Sequence, residues 1–147
     1  MTRNNPWLIA GGVLSAAAAL LHVAVIFGGP DWYRFFGAGE KLATMAEQGS
    51  PMPAAITFGI AVVLAIWGAY AFAGAGLIRR LPLMRTALVA ITTIYMLRGL
   101  MIIPLQFQPL ATAFDHWSSL VVLGFGLVHL IGTWRAWPAL ARKEGFA

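Results

Sequence analysis

Residues 53–78 read PAAITFGIAVVLAIWGAYAFAGAGLI, a run with no charged side chain. At ~1.5 Å per residue, roughly 20 such residues in a helix cross a hydrocarbon core of ~30 Å. Working outward, three more runs meet that length: residues 7–28 before it, and residues 83–104 and 117–137 after it. Four spans leave little else in a chain of 147 residues. The expected fold class is all-α, a single transmembrane domain built as an integral membrane antiparallel four-helix bundle.

Composition supports lipid as the solvent. Apolar residues make up 60% of the chain and charged residues only 10%, where a soluble domain carries about a quarter. The chain has no cysteine, which excludes disulfide–quinone electron transfer, cysteine-ligated iron–sulfur clusters and c-type haem attachment. The net charge of +5 invites nucleic acid as a partner, but most of the basic residues flank the spans, where they orient a membrane protein instead. Arg79, Arg80 and Arg85 lie around the second connection, Arg3 at the N-terminus, and Arg135, Arg142 and Lys143 at the C-terminus. The positive-inside rule then expects both termini in the cytoplasm and the first and third connections outside, in a cell (inner) membrane. The first span is longer than the ~7–15 apolar residues of a signal peptide and is expected to be retained.

The first connection is not a plain loop. Asp31 follows Gly28-Gly29-Pro30 as an N-cap, and Trp32, Phe35, Phe36, Gly39, Leu42, Ala43 and Ala46 recur at helical spacing. Arg34 and Lys41 fall on the opposite face, and Glu40 and Glu47 share a flank. The pattern predicts one amphipathic helix over residues 31–48, lying at the extracytoplasmic surface and ended by Gly49-Ser50-Pro51.

Ionisable residues inside spans are costly and therefore candidates for function. His22, Arg98 and His129 are the three here. The rise arithmetic puts His22 and Arg98 at a common level in the outer leaflet, with Tyr95 one turn before Arg98. Arg98 cannot lose its proton, so it snorkels to the interface, pairs with Glu40, Glu47 or Asp115, or meets an anionic headgroup. His22 and His129 suggest a proton carrier or a bis-histidine haem, although their estimated depths differ by ~8 Å, against a shared iron. Asp115-His116-Trp117 opens the fourth span, with Asp115 as its N-cap and Ser118 and Ser119 beside it. No metal-ligating or phosphate-cradling motif is present. Most of the six tryptophans lie near span ends, as interface anchors do, and Trp67 is the exception. Ala61, Ala65, Ala69 and Ala73 form a small-residue stripe suited to packing within the bundle or between copies in a homo-oligomer.

Gly37-Ala38-Gly39-Glu40-Lys41-Leu42, then Gly49-Ser50-Pro51-Met52-Pro53-Ala54-Ala55, then an apolar helix ending in Gly76-Leu77-Ile78-Arg79-Arg80, resembles the DoxX-like group of small four-span bacterial membrane proteins over about residues 37–90. Residues 63–69 are uncharged where that group often carries an acid in its second span. The resemblance implies a subunit or partner of a membrane-bound, quinone-linked oxidoreductase. The leading expectation is an accessory or binding role without catalysis. Arg98, His22 and Tyr95 would hold a quinone or lipid headgroup, and Glu40 would close the empty site. A redox enzyme using His22 and His129, and an oligomeric small transporter or channel, are the alternatives.

Overall fold

The structure, a computed structural model, describes residues 4–141. Arg3, Arg142 and Lys143 lie outside the described residues. Four helices are long and apolar enough to cross a membrane, and no strand occurs among the described residues.

Helix α1 (Pro6–Gly28) starts where the sequence supplies a cap. The Asn5 carboxamide oxygen accepts from the backbone N–H groups of Trp7 (3.1 Å) and Leu8 (3.3 Å), and Pro6 needs no partner at the first position. The Asn5 side-chain NH2 donates to the Gly132 carbonyl at 2.8 Å, so the same cap ties α1 to the last helix.

The first connection differs from expectation. Two short helices, α2 (Pro30–Phe35) and α3 (Glu40–Glu47), replace the single helix over residues 31–48. The cause is Gly37, at φ +70°, a left-handed conformation that glycine takes without steric cost. With Gly37 in that conformation, its N–H donates to the Arg34 carbonyl and the Ala38 N–H to the Tyr33 carbonyl, the paired bonds of a Schellman helix end. The break re-aims the faces. Tyr33 and Ala43 become the buried residues with Val25, flanked by Phe36 and Ala46, while Trp32 and Phe35 stay exposed. Phe36 meets Phe114 edge-on at 6.0 Å, fastening this connection to the start of the last helix.

Helix α4 (Met52–Gly74) also ends on a Schellman pair, Gly76 to Ala73 and Leu77 to Phe72, so the helical part of the second span stops short of residue 78. Helix α5 (Met84–Leu100) is followed by a short α6 (Ile102–Leu105). Helix α7 (Ala113–Leu140) begins earlier than the expected residue 117. Its N-cap is Thr112 rather than Asp115. Asp115 sits three positions later and completes a capping box: its N–H donates to Thr112 Oγ1, and its carboxylate accepts from the Thr112 N–H at 2.8 Å.

The helices associate as two close pairs. Within α1 and α4, Gly12 lies against the Phe72 ring, and Gly68 faces the Gly12 carbonyl. Within α5 and α7 the approach is closer still. A Cβ at Gly99 would collide with the backbone of Leu123, and Gly126 leaves room for Met96. Small residues of this kind let membrane helices touch by their backbones. One core cluster, around Leu8, Leu88 and Ala136, lies near the Asn5 end, and a second, with Ala19, Leu64, Ile91 and Tyr95, lies further along.

Candidate functional site

Buried polar side chains join the helices both between the two pairs and within the α5–α7 pair. Ser15 on α1 and Tyr95 on α5 share a hydrogen bond of 2.9 Å. The Tyr95 ring is caged edge-on by Trp67 of α4 (5.0 Å) and Phe125 of α7 (5.6 Å) and tilted against His129 (5.0 Å). One turn away, Thr92 Oγ1 donates to the Leu88 carbonyl at 2.7 Å and lies 3.5 Å from Thr133 Oγ1. Hydroxyls that find local partners are cheap to bury, and they fix which faces of the helices meet.

His129 is fully buried. Its Nδ1 donates to the Phe125 carbonyl at 2.8 Å, which leaves Nε2 as the acceptor of a neutral imidazole. That nitrogen has no partner among the described residues. Gly11 makes the position available, because a Cβ there would press on the ring from 2.8 Å. The contact also decides the haem question. His129 stands beside Gly11, eleven residues from His22, or about 16 Å of helix rise. Two axial ligands to one iron need a common level, so this pair does not fit a bis-histidine haem, and the gap is wider than the sequence arithmetic suggested. His22 itself is half-buried, with Nδ1 donating to the Ala18 carbonyl at 2.7 Å. His116 makes the same one-turn bond to Thr112. No group of three or more metal-ligating side chains occurs among the described residues.

Arg98 stands in the last turn of α5, where the helix dipole favours a cation. Its guanidinium reaches α7 and donates to Ser119 Oγ at 2.8 Å and Ser118 Oγ at 3.2 Å. Ser119 is fully buried and Arg98 is exposed. No carboxylate comes within ion-pair distance of Arg98 among the described residues.

Two of the carboxylates expected near Arg98, Glu40 and Glu47, are engaged elsewhere, and Asp115 feels the charge of Arg98 without coming within ion-pair distance. Arg34 donates to Glu40 through Nε (2.9 Å) and Nη2 (2.7 Å), a two-pronged contact, and lies 2.8 Å from Glu47 and 3.6 Å from Asp31. Glu40 therefore closes on Arg34, not on Arg98. The break at Gly37 explains it: in one continuous helix Arg34 would face away from both glutamates. The hydrogen bonds from Arg34 hold the Glu40 carboxyl below its usual range.

Of the four residues assigned to a headgroup site, the structure brings Arg98 and Tyr95 within one turn of each other on α5 but gives them different partners. His22 and Glu40 make no contact with either in the hydrogen bonds and ion pairs described above. Ser118 and Ser119 are residues that the sequence places only beside the cap of the fourth span. Their signal was a serine pair in the first turns of the last span, and what it lacked was the pairing of α5 with α7. Compared with protein-family models, with curated proteins and with solved structures, the chain finds no match.

Proposed function

We propose that this is a multi-pass protein of the cell membrane, an antiparallel four-helix bundle. Both termini and the 75–83 turn lie in the cytoplasm in this reading, and α2 and α3 lie outside. The charge distribution supports that orientation: Arg79, Arg80, Arg85 and Arg135 are at one end, and Asp31, Glu40, Glu47 and Asp115 belong to the other. Its role is binding rather than catalysis. Arg98, with Ser118 and Ser119, holds the polar or anionic headgroup of a quinone or lipid in the outer leaflet.

One observation carries this reading: a permanently charged guanidinium reaches across to α7 and meets two neutral hydroxyls there, with no carboxylate within ion-pair distance among the described residues. Headgroup oxygens supply the acceptors that the protein does not. Tyr95, one turn deeper, forms the floor of the site, and His22 and Glu40 drop out of it. The oxidoreductase partner rests on the resemblance of residues 37–90 to DoxX-like proteins. Mass spectrometry of lipid and quinone co-purified with the wild type and with Arg98→Ala tests the binding role. The variant is expected to lose most of one bound species, and an unchanged profile refutes the reading.

A second reading makes His129 a proton carrier. What favours it is the unpartnered Nε2 at the seam of the two helix pairs. Proton flux into proteoliposomes that falls to the empty-vesicle level with His129→Gln supports this reading, and flux unaffected by that change removes it.

A further inference from the structure

The end of the molecule opposite Arg98 gathers Asn5, the 75–83 turn and Leu140, and there arginines stand on tryptophans. The Arg85 guanidinium carbon lies 4.3 Å from the Trp137 ring centroid, and that of Arg135 lies 5.8 Å from the Trp7 ring. A guanidinium on an indole face uses its flat side for the ring and keeps its N–H edge for acceptors in its own plane. The edge of Arg85 is poorly supplied. Nη2 reaches the Trp137 carbonyl only at 3.4 Å, long for an N–H···O bond, and Nε is buried without a partner. Arg85 has no ion pair among the described residues.

Its place on the helix sharpens the point. Arg98 ends α5, where the dipole welcomes a cation, but Arg85 lies in the first turn of the same helix, where the dipole opposes one. An anion at that spot is attracted by the guanidinium and by the helix start together. Trp137 is 41% exposed, and tryptophan at a span end marks the depth of the lipid headgroups.

We propose that Arg85 and Trp137 form a site for the phosphate of an anionic glycerophospholipid, separate from the Arg98 site and independent of the function assigned to it. The phosphate oxygens take the outer Nη end of the Arg85 guanidinium, and the exposed indole of Trp137 lies against the glycerol and upper acyl chains.

Native mass spectrometry of the full chain, with added phosphatidylglycerol or phosphatidylcholine, tests this. The wild type is expected to retain one phosphatidylglycerol in preference to phosphatidylcholine. Arg85→Lys keeps the charge but loses the planar edge and the ring contact, and retention is expected to fall about tenfold or more. Trp137→Phe is a second, milder variant with a smaller expected loss. Arg79→Ala removes a charge from the same end without touching a tryptophan, and is expected to lose no more than about fivefold, as for diffuse surface charge. Retention by Arg85→Lys equal to wild type overturns the proposal, as does a loss no greater than that of Arg79→Ala. Displacement of the lipid by excess inorganic phosphate also overturns it, in favour of a free-phosphate site.

Discussion

Arg34 and Arg98 lie at the same end of the molecule, joined through the contact of Phe36 with Phe114, yet they have partners of opposite kinds. Arg34 has three carboxylates around it, two of them within 3 Å. Arg98 has two serine hydroxyls. Arg34 works between α2 and α3, in a connection exposed on its charged side, and its bonds hold that connection folded. Arg98 works between two spans that touch by their backbones, and no carboxylate comes within ion-pair distance of it among the described residues. The same residue type is structural where carboxylates close on it and a candidate for binding where none comes within ion-pair distance among the described residues.

The comparison can be broken most severely at Gly99, which lets the Arg98 turn approach α7. Gly99→Ala places a methyl group against the Leu123 backbone, which cannot swing aside as a side chain does. The expected cost is about 2 kcal/mol, read as a lower melting temperature in detergent, with Arg34 and its partners unaffected. A melting temperature equal to wild type would show that the α5–α7 contact is looser than described.

A smaller effect is expected beneath Arg98. Tyr95→Phe leaves the Ser15 hydroxyl buried without its partner, at about 1–2 kcal/mol. Ser15→Ala in the same chain is expected to recover part of that loss, because both partners are then apolar. Additive losses in a double-mutant cycle would show that the two hydroxyls do not interact.

The smallest effect belongs to the exposed side. Arg34 holds the Glu40 carboxyl below its usual range, so its folded-state value lies below its unfolded one. The contribution of the pair is thus present at neutral pH and is lost as pH falls through the depressed value. Limited proteolysis of the 29–51 connection is expected to accelerate on acidification in that window and also in high salt, since the pair is exposed. Arg34→Ala should be cleaved faster at neutral pH and lose the pH response of this pair. A wild-type cleavage rate in that variant contradicts the clamp.

How much of this was legible in the sequence follows from what each pattern encodes. Apolar length alone located the four long helices, because a chain with so few charges has no other way to satisfy its backbone in lipid. Local chemistry was legible where both partners are neighbours, as in the fourth span, although the cap fell on Thr112 and not on Asp115. The break at Gly37 had its signal in the sequence, a glycine on each side of Ala38, but the hydrophobic spacing continued across it and favoured one helix. Contacts between distant segments were not legible. Helical periodicity assigns faces to each helix without saying which face meets which, so Ser15 with Tyr95, Gly11 with His129 and Arg98 with Ser119 required the fold. The pairing of Arg34 with Glu40 and Glu47 was not legible for the same reason that the helix break was missed.

The contrast between the two arginines is tested most directly by measuring headgroup retention in Arg98→Ala and Arg34→Ala side by side, by mass spectrometry of the purified proteins. Arg98→Ala is expected to lose most of one co-purified quinone or lipid species, while Arg34→Ala keeps it. Equal retention in both variants, or equal loss, contradicts the assignment of Arg98 as the binding arginine.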